Sequence, residues 1–308
     1  MSDTPERDEI RRSFLTSGVL GLIRAIGRGR IALHRQTVLK VGLVIVIAFL
    51  LMTAVANIWP SLNGYSPTLY RDAPRLEGPS PSHWMGTDQL QRDVFSRILG
   101  GGYASLIVAF AGLALSMISG SVLGWISGYS GGWLDRILSL VMDAVYAFPS
   151  LILAILMVAM FGAGIGPMIW AVGVVYIPTY FRVARAESMQ VRETTYIEAI
   201  KAVGASRTRI VLRHVAPNTV NAIMAVSSFN LADAILTVAA LSFLGFGLPP
   251  PAPDWGFDIQ NGQKYLQSGS WWLITFPGLM IITLSLGFGL IGEGISDLVN
   301  PKRRRKHV

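Results

Sequence analysis

Five long stretches of this chain are almost free of charge, and few folds are open to a chain built that way. Val41 to Trp59 holds 19 residues without a charged side chain. Ile98 to Leu134, Ala144 to Phe181 and Tyr265 to Gly292 hold none either, and Val215 to Pro253 holds Asp233 alone. A bilayer core needs ~20 apolar residues per helical span, and within it every backbone N–H and C=O must be satisfied by the protein. These runs are therefore read as membrane helices. Ile98 to Leu134 exceeds one span and is expected to include connecting segments. Ala144 to Phe181 is broken by Gly162, Gly164, Gly166 and Pro167, which predicts the end of one span, a tight turn and a second span. Six spans are the most economical count: an all-α polytopic membrane protein.

Composition agrees. The chain is 52% hydrophobic and only 14% charged, with a mean hydropathy of +0.49. It has no cysteine, so disulfides, thiol catalysis and cysteine metal sites are excluded. The formal charge of +8 matters through its distribution. With both termini inside, only Arg71, Arg75, Arg92, Arg97 and Lys264 of the 26 lysines and arginines fall in outer loops. The positive-inside rule thus places both termini and residues 182–218 in the cytoplasm. The same asymmetry accounts for the basic charge without nucleic acid.

Residues 1–40 form a cytoplasmic N-terminal segment. From Val19 onward it reads as a basic amphipathic stretch on the inner leaflet or, equally, as a positive-inside flank. Arg11-Arg12 looks like a twin-arginine export signal, but the apolar run after it is short and broken at Arg24. Residues 41–301 form the membrane domain, with outer loops at 60–97 and 248–270, and residues 302–308 a basic tail. In the first outer loop His83, Asp88 and Asp93 invite a metal reading, yet no paired ligand spacing supports it. Hydrogen bonding within the loop is the better expectation. Gly112, Gly120, Gly124 and Gly128 share one helix face, for close packing or to clear a path. Asp143, Asp233 and Glu293 are acids within or at the ends of spans, and such acids are functional candidates by default. Structural pairing is expected for Asp143, with Arg136 or the basic tail, and for Glu293. Asp233 lies deeper and is a candidate to line a pore or meet a partner.

Tyr196 to Asn218 is a polar, basic stretch between two apolar runs. Ile197, Ile200 and Val203 share a face of a first short helix. Gly204 suits the left-handed turn after it, and Ser206 is placed to cap a second helix carrying Arg207, Arg209 and Arg213. Pro217 is expected to end that helix and Asn218 to cap the next span. The spacing alone leaves two readings: a handle for another protein, or a loop drawn to acidic lipid.

Glu198, Ala199, Gly204, Ile210, Leu212 and Pro217 resemble the EAA motif of ABC-importer permeases, with Ile200 and Ala216 as departures. Three more segments fit the same family. His83-Trp84-Met85-Gly86-Thr87-Asp88 with Arg92-Asp93 and Ser96-Arg97 resembles its outer-loop signature, Gln91 replacing a glycine. Gly131-Gly132-Trp133-Leu134-Asp135 resembles its short inner turn. Leu241-Ser242-Phe243-Leu244-Gly245 through Asp254-Trp255-Gly256 is similar to the dipeptide/oligopeptide/nickel branch, and the order of features, with the long outer loop after the first span, resembles its second permease subunit type. In that branch many members carry glutamate where Val238 stands here.

The resemblance implies a type I ABC importer permease fold in a bacterial or archaeal inner membrane. It implies a second homologous permease, two cytoplasmic ATPases and an extracytoplasmic binding protein as partners. Glu198, Ala199, Gly204, Ile210, Leu212 and Pro217 would form the coupling helix that docks on an ATPase. Di- or oligopeptides are the expected substrate, with nickel, glutathione or another small solute as alternatives. The chain has no G-x-x-x-x-G-K-[ST] loop, so ATP and magnesium are expected on the partners and no cofactor on this subunit. A stand-alone proton-coupled transporter using Asp143, Asp233 or Glu293 is the reading from another class. An intramembrane serine hydrolase is disfavoured because His34, His83, His214 and His307 all lie outside the apolar spans.

Overall fold

The computed structural model describes residues 37–59, 64–71 and 73–299. The basic tail and nearly all of the N-terminal amphipathic stretch lie outside the described residues. Helix α1 (Thr37–Ile58) begins four residues before the predicted domain start. It is followed by α2 (Val94–Ser130), α3 (Gly132–Tyr146), α4 (Ser150–Phe161), α5 (Ile165–Arg192), α6 (Thr195–Ala202) and α7 (Arg207–Ile210). Then come α8 (Ala216–Leu241), α9 (Trp255–Gly262) and α10 (Trp272–Val299). Among the described residues there is no β-strand beyond one isolated bridge, Thr87 to Asp93.

Five helices are long and apolar enough to span a membrane alone. The α3–α4 pair, bent by 87° at the break between them, is long and apolar enough when taken together and brings the count to six if it crosses as one span. Pro149 stands at the N-cap of α4, where its missing N–H costs no helical bond and its ring prevents α3 from continuing. The uncharged run from Ile98 holds one short connection, at Gly131, and its residues 98–130 lie in the 37-residue helix α2, about 55 Å long, which starts inside the first outer loop. Asp93 caps it, its side chain accepting a hydrogen bond from the Ser96 backbone N–H. Gly131 and Gly132, both at positive φ, turn the chain into α3.

Helix α5 lies along α2, and the glycine stripe sets how close they come. A Cβ on Gly120 would sit 2.6 Å from the Ile177 carbonyl oxygen. One on Gly124 would sit 2.6 Å from that of Phe181, and one on Gly128 would sit 2.5 Å from that of Arg185. The stripe thus serves packing within this chain, not a path. Ser116 exploits the approach, its hydroxyl donating to the Gly173 carbonyl at 2.6 Å. Helix α8 packs on both α2 and α5, and α10 on α8. Helix α1 lies against α10, with Gly42 beside Gly287 and Ile291.

A β-branched residue at Gly124 must push α2 off α5, because the obstacle is backbone. We expect Gly124→Val to destabilise by about 1–3 kcal/mol or more. Gly166→Ala, whose Cβ would meet nothing within 4 Å, should be near neutral. Thermal unfolding in one detergent distinguishes the two. Equal unfolding temperatures would refute the stripe's packing role.

Candidate functional site

The end of the molecule that carries α6 and α7 is the one assigned to the cytoplasm. Helix α6 ends at Ala202, with Val203 as C-cap and Gly204 beyond it at φ +84°. The Gly204 N–H bonds to the Lys201 carbonyl at 3.0 Å, and the Ala205 N–H to that of Ile200 at 3.3 Å. This pair of reversed bonds is the Schellman motif, which requires a left-handed residue where glycine stands. Ser206 caps α7, its hydroxyl accepting from the Arg209 N–H at 3.4 Å.

Ile197 and Ile210 are fully buried against each other's helix, Val215 and the Tyr129 ring at the end of α2. Each such burial is worth about 1.5–3 kcal/mol. Val203 does not share this face. It lies past the helix and is 83% exposed. Of the residues expected to dock, Glu198, Ala199, Leu212 and Pro217 turn outward, as does Val203, and Leu212 is 60% exposed. Ile210, by contrast, belongs to the hairpin's own core.

Pro217 does not end the helix. The chain runs from α7 through a π-helical turn, Val211–Val215, directly into α8. In that turn the Ala216 N–H reaches back five residues to the Val211 carbonyl. The wider turn suits a proline that has no N–H to give and falls in the first turn of α8. Asn218 does not cap α8 either. Its amide donates to the His214 carbonyl at 2.6 Å and the Tyr196 hydroxyl at 3.1 Å, joining α6 to α8.

Beneath the hairpin the long helices are tied to one another. Trp125 of α2 donates from Nε1 to Thr219 of α8 at 2.8 Å, and Ser188 of α5 donates to the Trp125 carbonyl at 3.2 Å. Arg185 of α5 grips Asp135 of α3, Nη2 to Oδ2 at 2.7 Å, and the Ser127 hydroxyl donates to the same carboxylate.

The opposite end is closed by buried polar residues. Arg97, 2% exposed, forms a two-pronged pair with Asp258 at 2.7–3.1 Å. It also donates to the carbonyls of Pro67, Pro251 and Ala252. One guanidinium thereby joins α2, both outer loops and α9. Burial raises the Asp258 carboxyl above the usual carboxylate range, and Arg97 pulls it back. Trp255 is wholly buried. Its Nε1 donates to the Ile98 carbonyl at 2.9 Å, and its ring occupies the space that side chains on Gly101 and Gly102 would fill. Asp254 caps α9 and also accepts from the Ser242 hydroxyl at 2.8 Å.

His83 and the two acids of the first outer loop are bound up in that loop. His83 Nδ1 pairs with Asp93 Oδ1 at 2.9 Å. Asp88 accepts from Arg92 Nε at 2.7 Å and from the Leu90 and Arg92 backbones. Gln91, in place of the expected glycine, keeps the left-handed turn at φ +62°, at a cost of roughly 1–2 kcal/mol.

Asp143 pairs with Arg182 at 2.8 Å, not with Arg136, and Arg182 also stacks on Tyr146. Glu293 is exposed and has no ion pair among the described residues. Asp233 accepts a hydrogen bond from the Tyr176 hydroxyl at 2.6 Å. The Arg97–Asp258, Arg182–Asp143 and Tyr176–Asp233 pairings have no local signal in the sequence, because each joins residues 39 to 161 positions apart.

A family model described as "Binding-protein-dependent transport system inner membrane component" matches residues 120–305. The chain belongs to that family: it is an inner-membrane permease component of a binding-protein-dependent transport system. It is 37% identical to the dipeptide transport system permease protein of Alkalihalophilus pseudofirmus, with 88% of each chain covered. It is 36% identical to the probable D,D-dipeptide transport system permease protein of Escherichia coli, over 86% of this chain and 88% of the relative. It is 38% identical to the glutathione transport system permease protein of Pectobacterium atrosepticum, over 82% and 84%. Among solved structures it matches an inward-facing MetNI methionine ABC transporter at a TM-score of 0.54 and 18% identity. That match covers 66% of this chain and 96% of the other, and shows a shared fold.

Removing one member of the outer clasp leaves its partner buried without a counter-charge. Arg97→Ala is expected to cost about 3–5 kcal/mol. Its readouts are a lower unfolding temperature and faster tryptic cleavage at the exposed Arg71 and Arg75. Combining Arg97→Met with Asp258→Leu should recover part of the loss.

Proposed function

We propose that this chain is one of two homologous permeases that form the path of an ATP-driven importer. Two cytoplasmic ATPases carry ATP and magnesium, and an extracytoplasmic protein delivers the substrate. The observation that carries the reading is the α6–α7 hairpin. It has its own core packed on Tyr129 of α2, a glycine-closed turn, and a hydrogen bond from Asn218 of α8 to Tyr196. It also leaves Val203, Leu212 and Glu198 uncovered, which asks for a protein surface. A rigid body with an apolar, part-charged face at a membrane boundary suits force transfer better than lipid attraction does.

In the proposed cycle the loaded binding protein settles on the outer loops. ATP draws the ATPases together and shifts the hairpin. Because α7 runs without a break into α8, and Tyr129 and Trp125 tie the hairpin to α2, the spans tilt with it and open the path inward. Di- or oligopeptides are the proposed substrate. The relatives named above, for dipeptides, D,D-dipeptides and the tripeptide glutathione, support that class.

The test is copurification with the candidate ATPases. Wild type should bring down both and show ATP hydrolysis stimulated by the loaded binding protein. Glu198→Arg should cut the recovered ATPase or the stimulation at least tenfold. Gly204→Pro, which removes the N–H that bonds Lys201 and demands negative φ, should do the same. Transport by wild type alone, driven by a proton gradient with no ATPase present, would refute the reading.

A further inference from the structure

A recess of about 420 Å³ opens where the α3–α4 elbow faces α5 and α8. That volume is within the range of small-ligand sites. Its walls are mixed. Tyr146, Phe148 and Leu153 bring apolar surface from the elbow, while Tyr176, Thr179, Asn230 and Asp233 bring polar groups from α5 and α8.

The recess lies near the middle of the membrane. Tyr176 is 11 residues into α5, about 17 Å from its outer end. Asp233 is 13 residues before Phe246, about 20 Å from the outer end of the α8 helical run. The hydrocarbon core is about 30 Å thick. A sharp break in a span, such as the 87° elbow, is tolerated at that depth only where it is covered by protein or lines a wet cavity. Broken helices at mid-membrane mark substrate sites in other transporter folds.

The chemistry of the recess is that of a carboxylate. Asp233 is exposed to it. Asp233 Oδ2 is held by the Tyr176 hydroxyl at 2.6 Å, and that hydroxyl lies 3.3 Å from Thr237 Oγ1. Asp233 Oδ1 has no hydrogen-bond partner among the described residues. Arg182, stacked on the wall residue Tyr146, is already paired with Asp143. The recess therefore presents one negative charge, with a fixed orientation and a free oxygen, beside aromatic surface that favours cations.

We propose that Asp233, oriented by Tyr176, binds the α-ammonium group of the substrate midway along the translocation path. The choice of a peptide as the ammonium's carrier rests on the preceding reading. The recess and its charge do not.

The experiment uses the assembled transporter, both permeases and both ATPases, purified without the binding protein so that its selectivity plays no part. Saturation-transfer NMR follows two probes, alanyl-alanine and N-acetyl-alanyl-alanine. Wild type should bind the free dipeptide at least tenfold more tightly than the acetylated one. Asp233→Asn should weaken the free dipeptide at least tenfold and leave the acetylated probe unchanged. Tyr176→Phe, a change at the positioning residue, should weaken the free dipeptide by a smaller factor, about threefold. Equal binding of both probes by wild type, no binding of either, or an unchanged Asp233→Asn variant would overturn the proposal. If Asp233→Asn fails to assemble, the wild-type comparison and Tyr176→Phe still decide. Loss of the ATPases from the wild-type preparation counts against the importer reading alone, because the same two-probe comparison on the purified permeases decides this site.

Discussion

The closeness of α2 to α5 is the constraint on which the other contacts depend. In lipid, hydrophobic burial gives little reason for one helix to choose another, since acyl chains are as apolar as leucine. Shape and polar contacts must choose. Gly120, Gly124 and Gly128 let the backbone of α5 come against α2 where any side chain would strike a carbonyl. That approach allows Ser116 to reach Gly173, and it sets Arg185 and Ser188 beside Asp135 and Trp125. The base on which the hairpin sits is therefore built by residues with no side chain.

The two ends of the molecule are held in different ways. The hairpin itself relies on apolar burial under a short surface, with its own charges left outside. The outer end relies on buried ions and indole N–H groups joined to backbone carbonyls. Such polar contacts fix geometry more narrowly than apolar ones, because each bond has a direction. The outer end thus serves as a fixed frame, and α8 links it to a hairpin whose outward face is uncovered.

Much of this was legible in the sequence. Uncharged runs marked the membrane helices, and Gly204 and Ser206 marked the turn and cap of the hairpin. Reading failed where the signal was not local. Nothing in Ile98–Leu134 says that 37 residues from Val94 form one helix, because a buried helix and a linker of small apolar residues look alike without a period. Pro217 reads as a stop, and only the π turn before it shows how the helix absorbs a proline. Val203 has the right spacing for the buried face, yet α6 ends one residue too early. Asp143 has Arg136 two turns away in sequence and Arg182 beside it in space.

The clasp around Arg97 also has a meaning in time. Its partner Asp258 lies 161 residues further along the chain. At synthesis rates of 5–20 residues per second, the carboxylate emerges on the order of 10–30 s after the guanidinium. Throughout that interval α2 has its cation at the membrane border without the acid that later neutralises it, and the first outer loop has no finished surface to rest on. The outer end can close only when the chain is nearly complete. A chain truncated before α9, or one that inserted a late span the wrong way round, would carry an unanswered positive charge on its outer side, a defect that membrane quality control could recognise.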